Sequence, residues 1–274
     1  IDDGSTDLTI EIIENYLILD TRFRLLYRPS ERIKGASTCR NVGLENSKGE
    51  FIQFLDSDDI MSSNKLEEQV KLLSITNELA IATCKWGRFI KEMDDSVNFE
   101  NFEAYNNFDD VPIFLEALSK SKGYFPIHAY LFKKELIKKS GLWNENLSLN
   151  DDTEFIIRVL CNSDVIYFTE NTRVYYRWTK ESNISSYNDY QKVDDAINSW
   201  KLIELYLKIR FKNRTINYVE FMKEGLYTNV NNSFPELIKK HGVFFKKQLK
   251  KNNLYYSIKK YLYQRFYKLW KKRR

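Results

Sequence analysis

Three clusters of acids in this sequence have the spacing that divalent-cation and proton-transfer chemistry needs. In Asp56-Ser57-Asp58-Asp59, alternate carboxylates follow the apolar run Phe51 to Leu55. Mg2+ and Mn2+ prefer oxygen ligands and commonly share them with diphosphate oxygens. The same run would also serve as a helix N-cap with extra charge in its loop. Asp2-Asp3-Gly4-Ser5-Thr6-Asp7 puts carboxylates where a strand ends, able to accept an imide N–H or a ribose hydroxyl, or to close a turn. In Asn150-Asp151-Asp152-Thr153-Glu154-Phe155 a carboxylate at a helix start can take a proton from a hydroxyl. Ordinary first-turn acids read the same way.

Other segments could complete such a site. Gly35-Ala36-Ser37 with Arg40-Asn41 and Gly43 would let the backbone approach a ligand, and a helix N-terminus there would attract phosphate. Arg40 adds a fixed fork of donors; a solvated arginine on a packed helix is the plainer alternative. Trp143-Asn144-Glu145 could wall a sugar-sized pocket or belong to the core. Tyr176-Arg177-Trp178 leads into the polar stretch Ser182 to Ser186, which could close over a diphosphate or be an ordinary surface loop.

The elements that must position these residues alternate. Helical spacing of Ile12, Ile13, Tyr16 and Leu17 predicts a helix from Asp7 to Leu19. A strand is expected over Phe23 to Tyr27, a helix capped by Ser37 running to Asn46, and a strand over Phe51 to Leu55. A helix over Ser63 to Ile75 and a strand over Ala80 to Cys84 follow. This order argues for an α/β domain with a mostly parallel sheet, whose ligands sit beyond the carboxyl ends of strands. Later elements are a loop over Glu92 to Asn107 and helices at Val111 to Ser119 and from Asp151 or Asp152 to Cys161. Strands at Val165 to Phe168 and Arg173 to Trp178 come next, then an almost wholly helical stretch from 189 to 274 broken near Asn213, Pro235 and Asn252-Asn253. Ile1 running into Asp2-Asp3-Gly4 reads as a strand end, so a strand is expected upstream of it.

Composition narrows the classes. The 43 Lys+Arg and 38 Asp+Glu give +5, but Val243 to Arg274 holds 12 of the basic residues and no acid. The body is therefore about −7 and does not read as a nucleic-acid binder. Three cysteines, Cys39, Cys84 and Cys161, include no C-x-x-C pair, which disfavours a disulfide framework and fits a reducing, cytoplasmic setting. Two distant histidines, His128 and His241, leave little material for zinc. From Leu254 to Trp270, apolar residues at helical spacing interleave with Tyr, Trp and Lys, predicting an amphipathic helix that binds an anionic membrane surface.

The order of the motifs resembles glycosyltransferase family 2, the inverting nucleotide-sugar transferases. The resemblance rests on Asp2-Asp3-Gly4-Ser5-Thr6-Asp7, Gly35-x-x-x-x-Arg40-Asn41-x-Gly43, Phe54-Leu55-Asp56-Ser57-Asp58-Asp59 and Asp151-Asp152-Thr153-Glu154-Phe155. It is strong over residues 1–90, moderate to about 185 and absent afterwards. It implies a GT-A-like catalytic domain over 1–185, without its first strand, and a helical, basic region over 186–274. It implies that Asp3 with Asp2 holds the base and ribose, that Arg40 lies near the nucleotide, and that Asp56 faces the diphosphate. Asp58 would be the direct ligand of Mg2+ or Mn2+. Asp152 matches the family's catalytic base; Asp151 stands where the family usually has Glu, so the base lies between these neighbours. The acceptor side or covering loop would draw on Trp143, Arg177 and Trp178.

The implied reaction moves a sugar from a nucleotide-diphosphate donor, a UDP-sugar foremost, to a hydroxyl of a saccharide or lipid-linked acceptor. Its setting would be cell-surface polysaccharide assembly at the inner face of the membrane. Two alternatives use the same residues: a metal-dependent nucleotidyltransferase, which would release pyrophosphate, and a non-catalytic, membrane-associated remnant of the fold.

Overall fold

The computed structural model describes residues 1–76, 79–90, 97–99, 101–121, 123–178, 186–212, 214–253 and 255. The C-terminal amphipathic segment falls almost entirely outside these residues, as does most of the stretch Ser182 to Ser186.

At the start, Asp2 bridges Tyr27 in parallel, with Asp2 N donating to Leu26 O at 2.8 Å and Arg28 N to Asp2 O at 2.9 Å. The expected strand over Phe23 to Tyr27 is reduced to this bridge. Helix α1 (Thr9–Leu19) connects the two and buries none of its residues. Helix α2 (Ala36–Asn46) begins after Gly35, whose φ of 147° only glycine adopts without strain. Ser37 is thus inside the helix and is not its cap, because its hydroxyl is engaged elsewhere.

Strand β1 (Phe51–Ile52) leads into the acidic loop, β2 (Ile60–Met61) leaves it, and helix α3 (Lys65–Ser74) returns the chain to β3 (Ala80–Phe89). The pair β4 (Asn98–Phe99) folds back onto β3 inside the stretch expected as loop. Then come α4 (Val111–Lys120), a short 3-10 turn at Ile127–Ala129, β5 (Leu131–Lys133), α5 (Lys134–Ser140), α6 (Asp151–Leu160) and β6 (Val165–Arg177). The two strands expected at 165–178 are one. Its register against β3 jumps between Cys84/Lys85, so that Glu170 to Thr172 loop out.

The sheet runs β1-β5-β3-β6-β2, with β4 attached to β3. Among these strands only β3 and β6 pair in parallel; the β1/β5, β5/β3, β6/β2 and β3/β4 pairings are antiparallel. The expected mostly parallel sheet is therefore a mixed one. All pairs but β3/β4 join strands that are not consecutive in sequence, and strand–helix alternation does not fix the direction of such partners.

The central strands are apolar because both faces are covered. Ile81, Phe132, Phe155, Ile166 and Val174 are fully buried. The same core continues without a break into α7 (Tyr190–Arg210), α8 (Tyr218–Ser233) and α9 (Pro235–Lys240), through Val193, Ile197, Trp200, Leu226 and Phe245. Helix α7 lies against α6 and α8 against α4. Among the described residues no helix is long and apolar enough to cross a membrane.

Candidate active site

The acidic loop 56–59 is pinned at one end by its last member. Asp59 is buried; its Oδ1 accepts from Arg177 N at 2.8 Å. Its Oδ2 lies 2.9 Å from Nδ1 of the buried His128, a close contact whose alignment falls short of a hydrogen bond. Asp58 is exposed, and its carbonyl accepts from Arg177 Nε at 2.9 Å while its carboxylate makes no hydrogen bond or ion pair with the described residues. Arg177 rests 4.4 Å above the Phe89 ring, and Trp178 N donates to Phe89 O at 2.7 Å. The end of β6 and the acidic loop thus form one rim, carrying Asp58, Arg177 and Trp178.

Arg40 joins this loop to the third acidic cluster. From α2, its Nη2 donates to Asp56 Oδ1 at 2.8 Å and its Nη1 to Asp151 Oδ2 at 3.3 Å. Burial works against the guanidinium, but Asp56 and Asp151 hold its pKa above the ordinary value. Ser37, one turn earlier, donates to Asp151 Oδ2 at 2.5 Å. The Trp143 ring lies 4.5 Å beneath Arg40 and stacks on Phe155 at 4.1 Å. At 3% exposure it is the floor under Arg40 and part of the core. The neighbouring Asn41 holds this floor: its Oδ1 accepts from Trp143 N at 2.8 Å and its Nδ2 donates to Trp143 O at 3.0 Å and to Glu145 Oε1 at 2.7 Å.

Asp151 is therefore occupied by Ser37 and Arg40, whereas among the described residues Asp152 has only the Thr153 amide, at 2.7 Å, and the more distant Thr153 hydroxyl, at 3.4 Å. Burial pushes the Asp152 carboxyl up to about 6; Asp151 adds to the rise, and Arg40 opposes it. A carboxylate with that pKa is poised to accept a proton near neutrality. Beside it is a cavity of ≈ 30 Å³, lined by Tyr124, Phe125, Tyr130 and Tyr218 among others.

Asp2 and Asp3 form a third unit. The Asp2 carboxylate turns back on its own loop, accepting from Gly4 N at 2.8 Å and Ser5 N at 3.2 Å, so it shapes a turn. The hydrogen bond of the Ser5 side chain, above all, holds its pKa below the ordinary value against burial, and the Gly4 and Ser5 amides add to the lowering. Asp3 is paired with Arg28. Burial, and next the charge of Asp3, push up the thiol of Cys39, the residue before Arg40, which puts this turn alongside α2.

Several supporting residues carried no signal in the motif reading. Arg28 does so only as a lone cation after a bridge, and Asp195, Ser199 and Tyr206 lie on α7, where no motif match exists.

The mixed sheet, with acids beyond its strand ends joined through Arg40 to a second acid pair at a helix start, has the GT-A fold. The chain belongs to glycosyl transferase family 2, whose sequence profile it matches over residues 1–139. It is 47% identical over 73 residues to an uncharacterized glycosyltransferase of Haemophilus influenzae, an alignment covering 27% of this chain and 28% of that one. It is 29% identical over 213 residues to the UDP-Glc:alpha-D-GlcNAc-diphosphoundecaprenol beta-1,3-glucosyltransferase WfgD of Escherichia coli, covering 74% of this chain and 68% of that protein. Its fold matches S. aureus TarS, crystallised with UDP-GlcNAc, with a TM-score of 0.60 and 19% identity over 88% of this chain and 65% of TarS.

Proposed function

We propose that this protein transfers a sugar from a nucleotide-diphosphate donor to an acceptor hydroxyl with inversion, in cell-surface polysaccharide biosynthesis. The observation that carries this reading is Arg40, which ties Asp56 to Asp151 and thereby sets Asp152 beside the acidic loop. WfgD is named for transfer onto a diphosphoundecaprenol-linked sugar, which supports a lipid-linked acceptor here.

In the proposed reaction Asp152 accepts the proton of the acceptor hydroxyl as that oxygen attacks the anomeric carbon. The bond to the nucleoside diphosphate breaks on the opposite face. Its raised pKa suits it to this exchange, while Asp151, held by Ser37 and Arg40, keeps the pair in place. Arg40 faces the departing diphosphate side with a fixed charge. Asp3 and its Arg28 partner, with the turn made by Asp2, would receive the base and ribose. Arg177 and Trp178 edge the opening where the acceptor or a covering segment enters.

The residues fit a shared divalent cation. Among the described residues no group of three or more acids, histidines or cysteines forms a closed cage. The Asp58 carboxylate is exposed and unengaged by those residues, with Asp56 two positions away. One or two carboxylates completed by substrate phosphates is the usual Mg2+ arrangement. A bound Mg2+ or Mn2+ would supply neutralisation of charge on the diphosphate leaving group; GalNAc-T7, a fold neighbour at TM-score 0.53, was crystallised with UDP, GalNAc and Mn2+.

The test is a panel of nucleotide sugars assayed with Mn2+ and a diphosphoprenyl-linked sugar acceptor. Release of free nucleoside diphosphate with glycosylated acceptor supports the reading. Release of pyrophosphate would establish a nucleotidyltransferase instead, and no turnover of any donor would leave the remnant alternative standing.

A further inference from the structure

The residue that aims the proposed base is itself strained. Asn150 is the only non-glycine residue with positive φ among the described residues, at 62°, and it is the N-cap of α6. Asparagine visits this left-handed conformation more readily than other side chains, but only glycine does so without cost. The direction in which Asp151 and Asp152 leave the turn depends on it.

The turn is held from α7, outside the segment that matches the family. Asn150 Nδ2 donates to Ser199 Oγ at 2.6 Å. Two residues earlier, Ser148 donates to Asp195 Oδ2 through its amide at 3.2 Å and its hydroxyl at 2.6 Å. One helical turn into α6, Glu154 Oε1 accepts from Tyr206 at 2.9 Å. Asp195, Ser199 and Tyr206 are spaced four and seven residues apart and so share one face of α7. Ser199 is fully buried and spends its own proton on Ala196 O at 3.1 Å, leaving its lone pairs for Asn150. The one buried hydroxyl thus serves its own helix as donor and the Asn150 turn as acceptor.

We infer that Ser199 and Asp195 are positioning residues: they fix the left-handed turn at Asn150 and thereby aim the Asp152 carboxylate at the acceptor hydroxyl. This inference rests on the reading of Asp152 as the base. It extends the active site's support into a helical region that the sequence motifs do not reach.

The test uses the full chain with Ser199→Ala, Ser199→Thr and Asn150→Ala. Ser199→Ala is expected to lower kcat about tenfold or more with the donor KM within about twofold, since misplacing a reacting group by an ångström can cost on that order. Amide exchange over residues 146–153 should quicken about tenfold, with the melting temperature nearly unchanged. Ser199→Thr, which keeps the acceptor oxygen, should recover most of kcat, and Asn150→Ala, which loses both the tie and the tolerance for positive φ, should be worse than Ser199→Ala. Unchanged exchange in Ser199→Ala overturns the inference whether or not the chain transfers sugar, and so does faster exchange with unchanged kcat. A wild-type chain inactive on every donor would count against the active-site reading instead. The exchange measurement would then decide by itself whether α7 holds the turn.

Discussion

At the scale of single residues, two adjacent aspartates have been given different work by their surroundings. Asp151 accepts two hydrogen bonds from α2; Asp152, among the described residues, accepts only from its neighbour Thr153 and has a raised pKa. Asp152→Asn should therefore lower kcat about 10²–10⁴-fold, the range of a general base, with donor affinity unchanged by calorimetry. The pH dependence follows: the base must be ionised, so kcat should fall about tenfold per unit below pH of about 6. Stability runs the other way. A carboxyl whose folded pKa lies above its unfolded value favours the fold below the unfolded pKa and disfavours it as pH rises through the folded one. Asp152→Asn should thus be neutral near pH 3 and stabilising near pH 8; equal melting shifts at both pH values would contradict this. Asp58→Asn should abolish metal-stimulated transfer while the melting temperature without metal stays put. Full activity in that variant, or undiminished activity in excess chelator, would remove Asp58 from the metal.

At the scale of elements, rims and floors matter more than individual helices. The loop 56–59 and the end of β6 are locked together by Asp59 and Arg177, which are far apart in sequence. Behind them an aromatic layer of Trp86, Phe102, Tyr105 and Phe125 joins β3 to α4. Gly123 follows α4, and a Cβ there would stand 2.6 Å from the Phe102 ring. That ring stacks on Phe125 at 5.9 Å and is 7% exposed, so it has little room to yield. Gly123→Ala is expected to cost about 1–3 kcal/mol, as overpacking of a well-filled core does, read from the midpoint of a urea melt. A midpoint equal to wild type would show that the layer can shift.

At the scale of the whole molecule, the helices after β6 belong to the same core as the sheet. Trp200, Ile203, Tyr218 and Phe245 contact one continuous apolar cluster with Phe132 and Phe155. Calorimetry of the full chain should therefore show one cooperative transition covering sheet and helices together. Two separated transitions, the second removed by deleting residues 186–274, would mean that the helices form their own unit.

Motif spacing alone was enough to place the α/β class and to mark the boundaries where the candidate acids and Arg40 lie, because backbone chemistry at strand ends and helix starts is local and leaves a short-range pattern. Asp56, Asp58, Asp151 and Asp152 all sit where a strand or helix boundary demands turn and cap residues. The direction of the strands was not legible, because the pairings that join β1 to β5 and β2 to β6 depend on contacts between distant segments. Nor was the difference in hydrogen bonding between Asp151 and Asp152, which Ser37 and Arg40 decide from α2. Trp143 reads equally as pocket wall or core in the sequence, and its burial beneath Arg40 appears only in the folded chain. The contribution of α7 had no local signature, since Ser199 and Asp195 acquire their roles only when tertiary packing brings them against Asn150 and Ser148. Short-range chemistry is written in neighbouring residues; hydrogen bonds across the core exist only once the chain has folded.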